Sequence, residues 1–231
     1  TKLLLLTPGI DRESGDYEDW GIPAPILGAF LRGRGIVPEK TDFNLILLLL
    51  TPGLERGKAG TLMAELVNFK RLFDADAPVG KVIPSLVQDY PGHYDGMSIQ
   101  TLAQELHDLL RRHDAKRLQQ QQFHEDHFPE LAMTPQAAHN AMVANQIDYI
   151  PFSQVKGRIA ATLALVYPPG IGVVVPGERY DNKAQPQIDY FHLFEETENR
   201  FPGFENEVQG VYREHGSDGS LTYHTYVVRE D

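Results

Sequence analysis

The chain has 231 residues, 42% apolar and 23% charged, ordinary proportions for a soluble globular protein holding one large domain or two small ones. Its 32 acidic residues outnumber 21 basic ones, and a net charge of −11 argues against nucleic acid, whose phosphates it repels, while mildly attracting small cations. The absence of cysteine excludes disulfides, thiolate nucleophiles and cysteine zinc clusters, and fits a reducing cytoplasm.

In chain order, Lys2–Leu6 reads as a buried strand, closed by the turn Thr7-Pro8-Gly9. The acidic stretch Asp11–Trp20 reads as a loop. Ile22–Arg32 places Ile26, Leu27, Phe30 and Leu31 at helical spacing, with Pro23 and Pro25 tolerated in the first turn and Gly33 and Gly35 ending the helix. After the turn Val37-Pro38-Glu39-Lys40, the continuous apolar run Asn44–Leu50 predicts a strand, and Lys58–Asp74 a helix. Neither leucine run is long enough to cross a bilayer, and no signal-like segment opens the chain. It begins with Thr1 in place of Met and so reads as a piece of a longer protein.

A looser, proline-bearing section follows, Ala75–Tyr94, and a domain boundary is expected within Ala75–Pro84. Ser98 then caps a helix whose apolar stripe is Ile99, Leu102, Ala103, Leu106, Leu109 and Leu110, leaving His107 and His113 as polar-face residues. Thr134-Pro135 is a cap with proline at the first helical position, opening Gln136–Asn145. Ile159–Val166 and Ile171–Val175 read as apolar strands around Tyr167-Pro168-Pro169-Gly170. Pro186–Asn199 reads as a helix with a charged, exposed end, and Glu207–Arg213 with Leu221–Arg229 as a hairpin across Gly216–Gly219. No internal repeat is visible. The fold class expected is α/β in the first part, followed by α+β.

Gly53–Lys58 superficially suggests a phosphate loop, but it is one residue short and Ala59 replaces the magnesium-holding hydroxyl, so it reads as a helix entry. His124-Glu125-Asp126-His127 lacks the spacing and third ligand of a metalloprotease helix and reads as a surface polar cluster, with a metal site at His124 and His127 as the alternative. Glu39 stands just ahead of an apolar strand. From the residues alone it is either a surface carboxylate paired with Lys40 or a nearby arginine, or a functional charge.

Ordered landmarks run the length of the chain: Thr7-Pro8-Gly9, Gly21-Ile22-Pro23-Ala24, Glu39-Lys40, Phe69-Lys70-Arg71 and Met133-Thr134-Pro135. They continue with Gly157-Arg158, Tyr167-Pro168-Pro169-Gly170, Pro176-Gly177-Glu178 and Phe201-Pro202-Gly203-Phe204. Together they resemble the C-terminal portion of the bacterial ornithine/lysine/arginine decarboxylases, pyridoxal-phosphate enzymes of fold type I. The resemblance implies that residues 1–76 finish the small domain of that fold and that 77–231 form the family's C-terminal domain.

It also implies that Glu39, and more weakly Asp42, meets the distal ammonium of a small basic amino acid. Glu39-Lys40-Thr41-Asp42-Phe43-Asn44 looks most like the ornithine enzymes, with lysine or arginine as the alternative substrate. The family's Ser-x-His-Lys pattern does not occur, so no catalytic lysine and no cofactor-binding residue is expected within this chain; pyridoxal phosphate would be held by residues outside it. The expected partners are the remainder of the parent enzyme and further copies, as dimers assembling into rings, with no nucleic acid, membrane or metal. A purely structural, assembly-forming module is the competing expectation.

Overall fold

Leucine-rich runs far apart in sequence meet to make the first sheet. The computed structural model describes residues 1–53, 56–167, 170–204 and 206–230. In it β1 (Lys2–Leu6) and β3 (Leu45–Leu49) pair antiparallel from Lys2↔Leu49 to Leu6↔Leu45. A short β2 (Lys40–Thr41) pairs with β3, giving the order β1-β3-β2. Side chains alternate across a strand, so Ile46 and Leu48 turn inward and are buried, on the side of the helix α1 (Ala24–Arg32). Leu4, Leu6 and Leu49 turn outward and are 58%, 40% and 49% exposed. Lys2–Leu6 is therefore a strand but not a buried one: it lies at the sheet edge, and its outer face is open.

Helix α1 starts on Pro23 and buries Ile26, Leu27, Phe30 and Leu31, as its spacing requires. Helix α2 (Arg56–Asp74) brings Phe69 to 5.1 Å from Phe30, ring centroid to centroid. Arg34 ties the helices together: its guanidinium lies 3.4 Å above the Phe30 ring, pairs with Glu65 at 3.0 Å and donates to the Val82 carbonyl at 3.3 Å. Trp20 sits edge-on to Phe73 at 5.7 Å.

The section expected to be loose contains two short helices, α3 (Val79–Val82) and α4 (Pro84–Asp89). Helix α5 (Ile99–Arg112) is capped as expected, Ser98 Oγ accepting the Thr101 N–H at 3.2 Å, and its whole apolar stripe is buried. The helix stays with the first part of the chain: Ile99 donates to the Ala77 carbonyl at 2.9 Å, and Gln100 Nε2 to that of Phe73 at 2.7 Å. The chain consequently divides into one compact unit of Thr1–Arg112 with Pro202–Phe204, and another of His113–Phe201 with Glu205–Asp231. The segment Ala75–Pro84 lies inside the first.

The second unit is built round α8 (Gln185–Arg200), which buries Ile188, Tyr190, Phe191, Leu193 and Phe194. It also contains α6 (Ala115–Gln121) and α7 (Pro135–Val143), the latter capped by Thr134 Oγ1 accepting the Ala137 N–H at 3.2 Å. Its larger sheet has β4 (Glu130–Leu131), β5 (Ile147–Pro151), β6 (Ile159–Ala160), β9 (Glu178–Arg179), β11 (Tyr212–His215) and β12 (Leu221–Val228). The smaller joins β7 (Ala164–Tyr167), β8 (Ile171–Val174) and β10 (Glu207–Gln209) in the order β10-β7-β8. Every strand pair among the described residues of both units is antiparallel.

Two expected elements divide. Ile159–Val166 is β6 and β7, which belong to different sheets. Glu207–Arg213 breaks at Gly210, where φ is +73° and a Cβ would stand 1.9 Å from the Leu163 carbonyl oxygen. Only glycine fits there, and the break lets β10 pair with β7 while β11 and β12 form the hairpin. Pro168 and Pro169 of the expected landmarks lie outside the described residues.

The end of α8 is charged and its last residues, Asn199 and Arg200, are exposed, but one carboxylate near it is not. Glu198, 7% exposed, receives both arms of Arg213 at 2.7 Å and the Tyr223 hydroxyl at 2.6 Å. These bonds fasten β11 and β12 to the helix.

Candidate functional site

Glu39 sits on the β2–β3 hairpin. Pro38 before it is buried, and the Glu39 N–H donates to the Leu47 carbonyl at 2.8 Å, extending the β-ladder by one residue. The hairpin closes on itself: Asp42 N–H donates to the Leu45 carbonyl at 2.8 Å, and Asp42 Oδ1 accepts the Phe43 N–H at 2.8 Å. Two outside segments grip the turn at successive carbonyls. Ala24 N–H donates to Phe43 at 2.8 Å, and Thr7 donates to Asn44 through its N–H at 2.9 Å and its hydroxyl at 3.2 Å.

The rigid hairpin presents the Glu39 side chain to solvent. Among the described residues its carboxylate has neither ion-pair nor hydrogen-bond partner, so the pairing with Lys40 or an arginine that would make it a plain surface charge is not formed. Asp42 is half-buried and one of its oxygens is engaged in its own turn. An unpaired carboxylate on a fixed backbone is chemically suited to one thing above others, a charge-assisted bond to an ammonium. Beside the hairpin a cleft of about 540 Å³ is lined mainly by apolar side chains, among them Leu3, Val37, Leu48, Leu49, Leu62 and Met63, with Arg34, Lys58 and Thr61 as its polar members.

The other sequence candidates separate from this site. His124 and His127 stand 6.4 Å apart between ring centroids, and His124 Nδ1 accepts the Asp126 N–H at 3.4 Å in a short 3-10 turn, Glu125–His127. No cluster of three or more metal-capable side chains occurs among the described residues. Leu54 and Glu55 of the phosphate-loop-like segment lie outside them. No described helix is long and apolar enough to cross a membrane. For pyridoxal phosphate the donor set does not fit: no lysine follows a histidine, and Lys40, on the hairpin itself, follows Glu39.

His113 Nε2 lies 2.6 Å from Glu196 Oε2. His107 is not a polar-face residue: it is fully buried, with Nε2 2.8 Å from the Glu18 carbonyl oxygen. Its position was in the sequence all along, since Ala103, His107 and Leu110 are spaced i, i+4 and i+7 on the apolar stripe. Away from the hairpin, burial pushes the Glu178 carboxyl up, against the Val175 N–H that favours its ionised form. Hydrogen bonds from Arg158 and Arg229 hold Asp148 below the usual carboxylate range.

Comparison with known proteins agrees with the landmarks. Residues 116–229 match the family model "Orn/Lys/Arg decarboxylase, C-terminal domain", and residues 1–58 match "Orn/Lys/Arg decarboxylase, major domain". The inducible ornithine decarboxylase of Escherichia coli is 45% identical over 228 residues, 99% of this chain and 31% of that protein. The ornithine decarboxylase of Haemophilus influenzae is 40% identical over 229 residues, again 31% of its length. Among solved structures, the constitutive lysine decarboxylase of E. coli matches with a TM-score of 0.88 and 35% identity, covering 99% of this chain and 31% of that one. The chain thus spans about a third of the length of these relatives.

Proposed function

We propose, from the premise that this chain belongs to the Orn/Lys/Arg decarboxylase family, that it is the C-terminal segment of a pyridoxal-phosphate-dependent decarboxylase converting ornithine to putrescine and carbon dioxide. In this reading Glu39 receives the distal ammonium of the substrate, with Asp42 as a subsidiary carboxylate. The observation that carries it is the unpaired Glu39 carboxylate on a hairpin pinned by Ala24 and Thr7. Ornithine is favoured over lysine and arginine because the ornithine enzymes are 40–45% identical to the chain and the others 35–36%.

The cofactor supplies the electron sink of the reaction when bound. Its lysine and phosphate contacts belong to the part of the parent that this chain lacks. We assign residues 1–76 to the end of the small domain and 77–231 to the family's C-terminal domain. The open outer face of β1 and β3, with Leu4, Leu6 and Leu49, supports docking of the remainder of the parent enzyme, since exposed apolar patches mark interaction sites. Assembly of the parent into dimers and rings, in the cytoplasm, belongs to the same proposal.

The test is a chimaera in which this chain replaces the matching third of a full-length ornithine decarboxylase relative. Glu39→Gln in it should raise KM for ornithine by about tenfold to a hundredfold, the equivalent of losing a charge-assisted bond of roughly 1.5–3 kcal/mol. An unchanged KM would sink the assigned role and leave the structural, assembly-forming alternative.

A further inference from the structure

We infer that His107 is a positioning residue that locks the loop between Gly9 and Gly21 and thereby fixes the hairpin carrying Glu39. The inference rests on the ammonium-contact reading of Glu39 and adds the device that holds that contact in place.

The His107 side chain is 0% exposed, and its Nε2 lies 2.8 Å from the Glu18 carbonyl oxygen. A carbonyl only accepts, so Nε2 is the donor, while the buried Nδ1 has no hydrogen-bond partner among the described residues. On its other side the ring lies against two glycines. A Cβ on Gly21 would stand 2.3 Å from His107 Nδ1, and one on Gly9 would stand 2.8 Å from Cε1. The same Cβ on Gly9 would be 2.7 Å from the Gly21 Cα, so the two backbones cross with no room for a side chain. A flat ring with a donor at its far edge fits this crossing and still reaches Glu18.

Neighbours on the same face of α5 complete the clamp. Gln104 Nε2 donates to the Asp19 carbonyl at 3.0 Å, and Arg111 Nη1 pairs with Asp19 Oδ1 at 2.8 Å. Positions 104, 107 and 111 follow helical spacing. The ring of Tyr17 meets His107 edge-on at 5.6 Å.

The two clamped backbones are the ones that grip the hairpin. Two residues before Gly9, Thr7 binds the Asn44 carbonyl at 2.9 Å; three residues after Gly21, Ala24 binds that of Phe43 at 2.8 Å. Between clamp and grip, Ile22 N–H donates to the Pro8 carbonyl at 2.9 Å and Glu18 N–H to that of Gly9 at 3.0 Å. A short run of backbone bonds thus leads from His107 to the turn below Glu39. Helix α5, which lies beyond the segment matched by the major-domain model, sets the geometry of a contact that lies within it.

The test uses His107→Leu and His107→Gln, the second of which keeps a donor at the position of Nε2. In the full 231-residue chain, His107→Leu should speed amide exchange across residues 9–24 and 40–48 by about tenfold or more, leaving β12 unchanged, with His107→Gln closer to the parent. In the chimaera, His107→Leu should raise KM for ornithine about tenfold while kcat stays within about twofold. Should His107→Leu fail to fold, the same KM-against-kcat split in His107→Gln, at smaller size, decides the question.

Unchanged exchange over 40–48 would overturn the inference. So would an unchanged KM in the His107 variants when Glu39→Gln raises it. If Glu39→Gln itself leaves KM unchanged, the ammonium reading fails, and the exchange data alone uphold or overturn the lock.

Discussion

Arg213 shows how much one side chain can hold. Both of its arms reach Glu198 at 2.7 Å, and Glu198 also takes the Tyr223 hydroxyl. Arg213→Ala would strand a carboxylate that is 7% exposed. Breaking a buried pair costs about 3–5 kcal/mol, and the partial exposure of Arg213 brings the expectation below that range, to about 2–3 kcal/mol. Urea unfolding of the chain followed by circular dichroism measures it. Glu178 acts in the opposite sense. Burial raises its pKa above the ordinary 4.5, so between those two values the folded state binds more protons than the unfolded chain. Stability is therefore lost as pH rises through that window and regained as it falls. Glu178→Gln keeps an acceptor for the Val175 N–H and removes the charge. Its melting temperature should exceed the parent's at pH 7, with the gain disappearing below about pH 4.5. At this scale the sequence was only partly legible. The helical register already put His107 on the apolar stripe, but nothing local showed that Gly9 and Gly21 would back onto it, or that Glu39 would lack a partner.

Helices were easier to read than strands, because a helix writes its pattern into consecutive residues while a strand depends on distant partners. The α5 stripe and its Ser98 cap appeared as expected, and Ser98→Ala should cost about 1 kcal/mol, read as a shift in the urea midpoint of the first unit. The leucines of β1 gave the strand without its environment. Burial requires a covering layer, and local sequence does not say whether one is present. Likewise the apolar run Ile159–Val166 carried no sign that β6 would join β12 while β7 joined β10. Only Gly210 marked the break between β10 and β11, and its reason, the approach of the Leu163 carbonyl, is a long-range one.

At the scale of the molecule, the domain boundary expected within Ala75–Pro84 and the division of the structure at Arg112–His113 describe different things. Composition changes where the prolines gather, but α5 returns to the first unit through Phe73 and Ala77. The net charge of −11 and the open leucine face oppose each other in the free chain, one keeping copies apart and the other drawing them together. Lowering the pH from 8 to 5 reduces the net negative charge and with it the repulsion between copies, so association should increase at pH 5. Leu4→Lys with Leu49→Glu should suppress that increase. Sedimentation velocity measures both, and identical masses at the two pH values would contradict the first expectation.

The single tryptophan, Trp20, lies against Phe73 in the first unit, while all of the 10 tyrosines except Tyr17, Tyr90 and Tyr94 belong to the second. The protein therefore carries two intrinsic fluorophores that report on different places. Excitation at the red edge, where only indole absorbs, follows the first unit alone; tyrosine emission is weighted to the second. Because Trp20 sits in the loop clamped by α5, its emission maximum is also a direct optical gauge of whether that loop is closed. Coincident indole and tyrosine transitions would mark one cooperative fold, and separated ones two units that melt independently.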